Sequence, residues 1–354
     1  MDYNASARDG GFFAAANTGR GFVSYFDEIF FCDDIKQRYV IKGGPGTGKS
    51  SIMRRVAKRG ESLGRKVELY YCSSDASSLD GVVIDGSIAM LDGTAPHTCE
   101  PQLAGVRDHL INLGDFWDAG ALSLAETQIA ALAAEKRAAY ESAYGCLAAA
   151  RAIDDTYSGM LSGCVRVEKL RGAVRRLADK CFLDGAADAR VLHRQTEAFS
   201  VGGRVRLTSL LAAARVRYAV LDFYGIARVF MREIESLAKR LGQRILVSYE
   251  VVSGAPREIY FPETGACVYV TDAEPPEGEA RVNMKRFADV SAIALERSCL
   301  RGAMQAHRSL TDLAARRIAM AGKAHASLER IYSASMDFDA LRAYTDTLIE
   351  RILE

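Results

Sequence analysis

The sequence predicts an α/β protein in which a mainly parallel sheet, covered by helices on both faces, occurs twice along the chain. Three observations predict this fold. From Arg38 onward, short apolar runs alternate with segments of helical periodicity, a pattern typical of parallel sheets. The same order of elements returns at an offset of about 179 positions. Alanine-rich helical stretches follow both copies, and we expect each to form a long helical hairpin arm.

The composition is that of an ordinary globular protein. Of the 354 residues, 49% are hydrophobic and 26% charged, and 46 basic side chains nearly balance 45 acidic ones. The net charge of +1 gives no reason to expect binding to nucleic acid. No run without Asp, Glu, Lys or Arg is longer than that at 10–19, so we expect no membrane association. Eight cysteines without a CxxC pair predict reduced thiols in a cytoplasmic protein.

The first unit begins with a strand at 39–41 and a helix at 50–63. Ile52, Val56 and Leu63 have helical spacing, and a glycine at position 64 supplies the stop. Further strands are predicted at 66–71 and 87–92. We expect four regions along the chain: a core at 1–120, a helical arm at 121–184, a second core at 200–284 and a second arm at 285–354.

A complete Walker A motif, GGPGTGKS at 43–50, lies between the first strand and the first helix. Glycines allow positive φ, so that backbone N–H groups turn toward a bound phosphate. Lys49 would reach the β and γ phosphates, and the Ser50 hydroxyl would bind Mg²⁺. We therefore expect ATP and Mg²⁺ to bind here. The predicted nucleotide-binding residues are Gly43, Gly44, Pro45, Gly46, Thr47, Gly48, Lys49, Ser50 and Ser51.

Such a loop needs a second acidic group, at the end of a neighbouring strand, to help hold Mg²⁺. Asp92 ends the apolar run 88–91 and is the favoured residue, while Asp85, which ends the run 82–84, is the alternative. His97 follows in the next loop, where it is expected either to orient the attacking water or to be an ordinary surface residue. No glutamate follows Asp92 directly, which predicts slow turnover or another water-positioning group.

The second copy has lost the phosphate motif. Its corresponding loop, 221–228, reads LDFYGIAR, with Ala227 at the lysine position and Arg228 at the serine position. Asp222 would repel phosphate, and we expect a pseudo-site kept for its fold and interface. The repeat sets Tyr39 on Tyr218 and Asp92 on position 272. The arginines Arg215, Arg217, Arg228 and Arg232 are candidates for a finger reaching the intact loop, or for ordinary salt bridges.

Several segments together resemble a known family. NTGRGFVSYFDEI, RYVIKGGPGTGKSS, DGTAPH and LGDFWD, with a helical arm and a second half, are similar to an uncharacterised bacterial family of duplicated P-loop proteins described as ATPases or nucleotide kinases. The resemblance covers nearly the whole chain. It implies ATP binding by 43–51 and supplies no substrate. In that family the second half can carry its own P-loop, from which this sequence departs.

The predicted function is slow, Mg²⁺-dependent ATP hydrolysis by a P-loop NTPase, coupled to movement of the helical arms. Lys49, Asp92 and His97 are the predicted catalytic residues, and Ser50 and Asp92 the predicted Mg²⁺ ligands. An unknown protein partner would bind through the arms.

Two alternatives remain. The first is a kinase that phosphorylates a small molecule or nucleotide, and the second is a switch that binds ATP without consuming it. In the kinase, four arginines after the first arm would form a lid: Arg166, Arg171, Arg175 and Arg176.

Overall fold

Two six-stranded mixed sheets organise the chain. The computed structural model describes residues 10–96, 98–186 and 189–353. The first half contains β1 (Gly11–Phe13), β2 (Ala15–Thr18), β3 (Gly21–Ser24), α1 (Phe26–Phe30), β4 (Gln37–Lys42), α2 (Lys49–Ser62), β5 (Val67–Tyr71), β6 (Leu79–Ile84), β7 (Ile88–Asp92), β8 (Asp108–Asn112), α3 (Ala119–Leu124), α4 (Glu126–Ser162) and α5 (Val167–Cys181).

The second half repeats this succession. It contains β9 (Val191–His193), β10 (Glu197–Ser200), β11 (Gly203–Arg206), α6 (Ser209–Ala213), β12 (Val216–Leu221), α7 (Ala227–Arg240), β13 (Ile245–Tyr249), β14 (Pro256–Phe261), β15 (Ala266–Thr271), β16 (Ala280–Asn283), α8 (Val290–Ala334) and α9 (Phe338–Leu353). None of the described helices combines the length and the apolar character that crossing a bilayer requires.

The first sheet has the order β1-β5-β6-β7-β4-β8, and the expectation of a parallel sheet is wrong for one strand. β6 runs antiparallel to β5 and β7, while the other neighbours in this sheet are parallel. A tight turn causes the reversal, because Asp85 and Gly86 adopt φ values of 51° and 67°. An Asp-Gly pair with positive φ is typical of two-residue hairpins. The sheet is therefore mixed.

The second sheet has the corresponding order, β9-β13-β14-β15-β12-β16, and β14 is again antiparallel to both neighbours. Each half also has a two-stranded hairpin, β2-β3 in the first and β10-β11 in the second. The second sheet includes β9, which precedes the boundary expected at residue 200.

Helices cover the outer faces, and the inner faces of the two sheets meet. On the outer side of the first sheet, α2 packs Ile52 and Met53 against strand residues such as Ile41. α7 covers the second sheet similarly. Between the sheets, Phe30 of α1 and Leu210 of α6 join one apolar cluster with residues of both sheets. Burial of this apolar area is the main force that holds the halves together.

The helical arms are exchanged between the halves, so the expected hairpins are wrong. α4 and α8, of 37 and 45 residues, pack along each other. They run antiparallel, since Trp117 before α4 pairs with Met336 after α8, and Val165 after α4 pairs with Ala288 before α8. α5 packs on α7 of the second half, and α9 packs on α2 of the first. The partner of each helix is set by the apolar surface it meets, which a sequence period does not identify.

Small side chains allow the long helices to approach closely. Ala139, Ala143 and Ala150 are buried on α4, and Ala314 and Ala321 are buried on α8. Their spacing places the residues of each helix on one face. The alanine-rich composition thus serves helix packing, as the sequence period predicted.

Candidate functional site

The glycine-rich loop joins β4 to α2. Gly46 and Gly48 have φ values of 71° and 92°, a conformation that other residues rarely adopt. The Thr47 hydroxyl donates to the Gly44 carbonyl at 2.8 Å and tightens the turn. α2 begins at Lys49, so the loop ends at the positive end of a helix dipole. These features suit the binding of an anion.

The Lys49 ammonium lies over the loop. Its Nζ donates to the carbonyl oxygens of Gly43 and Gly44 at 3.0 and 2.7 Å, and lies 3.7 Å from Asp92 Oδ2. The side chain is 13% exposed. A mostly buried cation with several acceptors in reach provides the charge that a phosphate requires.

Asp92 lies at the carboxyl end of β7, directly opposite Ile41 of β4. The Thr94 N–H donates to Asp92 Oδ1 at 2.8 Å, and the Thr94 hydroxyl also donates to this carboxylate. Burial raises the pKa of Asp92, and Lys49 and Thr94 oppose that rise. The structure therefore brings Asp92 and Lys49 together, as the sequence indicated.

Asp85 lies elsewhere. It occupies the β6-β7 turn, at the end of the strands away from the glycine-rich loop. There Arg65 Nε donates to it at 2.7 Å. Hydrogen bonds from Arg65 and from the Lys66 N–H lower the pKa of Asp85. Its role is to hold the turn, and it is not part of the site. His97 lies outside the described residues, and Ser51 is exposed on α2.

Asp80 is a site residue that the sequence did not reveal. It is 3% exposed on β6, and the pairing of Gly81 with Leu91 places it beside Asp92. Its charge contributes to the raised pKa of Asp92. Ser50 is close by, since its Oγ accepts from the Leu79 N–H at 3.0 Å. The Asp85-Gly86 turn, which pairs β6 with β7, is the sequence signal that could have placed Asp80 beside Asp92.

The side chains that could bind a metal at this end of the strands offer oxygen atoms. Ser50, Asp80 and Asp92 supply one hydroxyl and two carboxylates, which suit Mg²⁺. Within 10–96, 98–186 and 189–353, no group of three or more His, Cys, Asp or Glu side chains is arranged to hold a metal. Because Mg²⁺ takes six ligands in octahedral geometry, one hydroxyl and two carboxylates would leave positions for phosphate and water oxygens.

The C-terminal part of α8 packs directly on the glycine-rich loop. Ser333 Oγ donates to the Gly46 carbonyl at 2.8 Å. A Cβ on Gly46 would lie 2.5 Å from the Glu329 carbonyl oxygen, and one on Gly44 would lie 2.8 Å from the Tyr332 ring. Glycine is thus required at both positions by close approach of α8. No local pattern in the sequence points to this contact.

A charged cluster surrounds Lys49 on the same side. Lys136 Nζ lies 3.1 Å from His325 Nδ1, and His325 Nε2 lies 3.6 Å from Glu329 Oε1. Burial, Lys136 and Lys49 lower the pKa of His325 to about 4. Burial and Asp75 raise the pKa of Glu329, while Lys49 and Lys136 lower it in part. Lys136 of α4 and His325 and Glu329 of α8 thus interact electrostatically with Lys49.

The second loop, 221–228, binds its own carboxylate. Asp222 accepts from the N–H groups of Gly225 and Ala227 at 2.7 and 2.8 Å. Arg228 donates to Asp154 of α4 at 2.8 Å, and Tyr157 donates to the Tyr224 carbonyl at 2.9 Å. A side chain of this loop therefore uses the N–H groups that an anion would need.

Three of the arginines considered for a lid or a finger form ion pairs with carboxylates. Arg171 lies on α5 and contacts Glu168 and Glu233. Arg217 contacts Glu279 in the second half, and Arg228 contacts Asp154. These ion pairs favour the structural role.

Comparison with protein-family models, with curated proteins and with solved structures finds no match to the chain.

Proposed function

We propose that this chain is a P-loop NTPase that binds Mg·ATP at 43–51 and hydrolyses it slowly. One observation carries the proposal. The complete GGPGTGKS loop has Gly46 and Gly48 at positive φ and a largely buried Lys49 ammonium, and Asp92 is in register beside it on a parallel strand. These are the parts that phosphoryl chemistry on a nucleotide requires.

Each residue then has a role. Lys49 moves from the carbonyls of Gly43 and Gly44 to the β and γ phosphates, where it neutralises charge. Loop N–H groups bind phosphate oxygens. Ser50 and Asp92, with Asp80 beside them, hold Mg²⁺, which when bound neutralises charge on the phosphates and orients them. His97 lies outside the described residues, so its role stays a prediction: it either orients the attacking water or is an ordinary surface residue.

We also propose that the fold is a duplicated P-loop fold. Support comes from the matching strand orders and from the antiparallel strand in each sheet. With Tyr39 equivalent to Tyr218, Ile41 corresponds to Val220, which pairs with Val270. Val270, rather than Asp272, therefore takes the position of Asp92. The second half lacks both the lysine and the carboxylate, which supports one active site per chain.

The remaining proposals concern location and partners. All eight cysteines are free thiols, which supports a reducing compartment such as the cytoplasm. Binding of another protein through α4 and α8 stays a prediction.

Exchange of Lys49 tests the function directly. ATP binding and phosphate release with Mg²⁺ are measured for the purified chain and for Lys49→Ala. Loss of two charged contacts to phosphate predicts binding weaker by about 100-fold and no measurable hydrolysis.

The matched control is Lys58→Ala, an exposed lysine on the same helix, which should change neither quantity. Equal phosphate release by Lys49→Ala, or no ATP binding by the unaltered chain, would overturn the proposal.

A further inference from the structure

α8 brings a carboxylate to the glycine-rich loop from the other end of the chain. The Glu329 backbone lies against Gly46, and the Glu329 side chain is 46% exposed. It interacts electrostatically with Lys49, Lys136 and Asp75. A solvent-accessible carboxylate on a residue whose backbone packs against the phosphate-binding loop, and that interacts electrostatically with Lys49, is a candidate to act on a water molecule near a terminal phosphate.

The neighbours of Glu329 fix the protonation state of His325. An ammonium group has only donors, so Lys136 donates to His325 Nδ1. With a pKa of about 4, His325 is neutral near pH 7, and its proton is then on Nε2. Nε2 is the nitrogen that faces Glu329 Oε1. The 3.6 Å separation exceeds hydrogen-bond distance, and the imidazole packs beside the carboxylate with its N–H on that side.

The other carboxylates near Lys49 have other partners. Asp92 is bonded by Thr94, and Asp80 lies beside it at the proposed Mg²⁺ position. Asp75 accepts from the N–H and the hydroxyl of Ser77 at 2.9 and 2.7 Å. Glu329 differs, because its carboxylate contacts a neutral histidine and solvent.

We propose that Glu329 is the general base that accepts a proton from the water attacking the γ phosphate, with His325 and Lys136 as positioning residues. This inference rests on the proposed function. It supplies the glutamate that does not follow Asp92 in the sequence. Because α8 belongs to the second half, the active site would be completed by the half that has lost its own phosphate motif.

The step balances. The water oxygen forms a bond to the γ phosphorus as its proton passes to Glu329, and the bond from that phosphorus to the β–γ bridging oxygen breaks. ADP leaves with the bond electrons, and phosphate is released. Glu329 then returns its proton to solvent or to phosphate. General-base catalysis contributes about 100- to 10,000-fold to a rate.

The test compares Glu329→Gln with the unaltered chain. ATP binding is measured by equilibrium dialysis with Mg²⁺, and phosphate release is measured separately. We expect hydrolysis to fall by about 100-fold or more, with ATP affinity within about threefold. Glu100→Gln is the matched control, since Glu100 is an exposed partner of Lys42, and its hydrolysis should be unchanged.

Each other outcome overturns a different statement. Undiminished hydrolysis by Glu329→Gln overturns this inference alone, provided Lys49→Ala is inactive. ATP binding without phosphate release by the unaltered chain also overturns it. Failure of the unaltered chain to bind ATP overturns the proposed function as well. If Glu329→Gln does not fold, Glu329→Asp replaces it, and hydrolysis equal to that of the unaltered chain counts against the base.

Lys136→Met tests the positioning role through the pH profile of kcat. The groups facing Glu329 are Lys49, Lys136, Asp75 and His325. Lys136 lowers the pKa of Glu329, so its loss should move the acid limb of the profile to higher pH. A purely structural role would lower kcat equally at every pH, which would contradict the assignment. Lys323→Met, an exposed site on α8, should leave the profile unchanged.

Discussion

The loops at 43–50 and 221–228 occupy corresponding places in two similar sheets, yet the side chains that bind the two loop backbones carry opposite charges. In the first, the Lys49 ammonium contacts loop carbonyls. In the second, the Asp222 carboxylate accepts from loop N–H groups. A loop that carries its own cation favours an added anion, whereas one that carries its own anion repels it. The N–H groups that an anion would need in the second loop are thus already bound by an internal carboxylate.

Of the variants that distinguish the surroundings of the two loops, the one at Asp92, whose proposed counterpart is Val270, should have the largest effect. Asp92→Asn removes a charge from the proposed Mg²⁺ position, and we expect hydrolysis to fall by about 10- to 100-fold, with more Mg²⁺ needed for half-maximal rate. A Mg²⁺ titration of phosphate release measures both.

Asp85→Asn is the control for Asp92→Asn, since Asp85 lies in the β6-β7 turn at the opposite end of the strands. It should retain the rate. A greater loss from Asp85→Asn than from Asp92→Asn would reverse the assignment of the acidic residue.

A smaller effect should distinguish the glycines of the two loops. Gly46 and Gly225 have φ values of 71° and 77°, so alanine is strained at both. At position 46 its Cβ would also meet the Glu329 carbonyl oxygen at 2.5 Å, whereas at 225 it would meet side chains of Arg228 and Tyr157 at 3.3 Å. We expect Gly46→Ala to lower the free energy of unfolding by about 1–3 kcal/mol more than Gly225→Ala.

Urea unfolding of both alanine variants measures this difference. Equal losses would mean that α8 moves away from the added Cβ at no cost in unfolding free energy, and that its contact with the loop is weak.

The smallest effect concerns the internal carboxylate. Asp222→Ala leaves the N–H groups of Gly225 and Ala227 without their acceptor, which should cost about 1–3 kcal/mol of unfolding free energy. ATP stoichiometry should stay at one per chain, because Ala227 supplies no cation. The exposed Asp272 gives the control, Asp272→Ala, with a change within about 0.5 kcal/mol. Binding of a second ATP by Asp222→Ala would show that the Asp222 carboxylate alone prevents ATP from binding at the second loop.

Local patterns predicted much of the fold and of the loop. The strand at 39–41, the helix after it and the long helix after Trp117 are present, because each depends on spacing within one segment. The reversal of β6 was also encoded locally, in Asp85-Gly86, but was not recognised.

Other features depend on contacts between distant segments. The apolar stripe of α4 predicts that one face is buried, and gives no information that α8 covers it. Glu329 could not be placed beside Gly46 from sequence, because that contact requires the arms to cross between the halves. The proposed base was therefore missed although the phosphate motif was complete.

The exchange of α5 and α9 makes the stability of each half depend on the other. A fragment that ended after α5 would expose Leu170, Val174 and Leu177 to water and would leave α2 without α9. Each half therefore supplies a helix that covers apolar side chains of the other. Deletion of either half would remove part of the core of the half that remains, so the two halves form one folding unit.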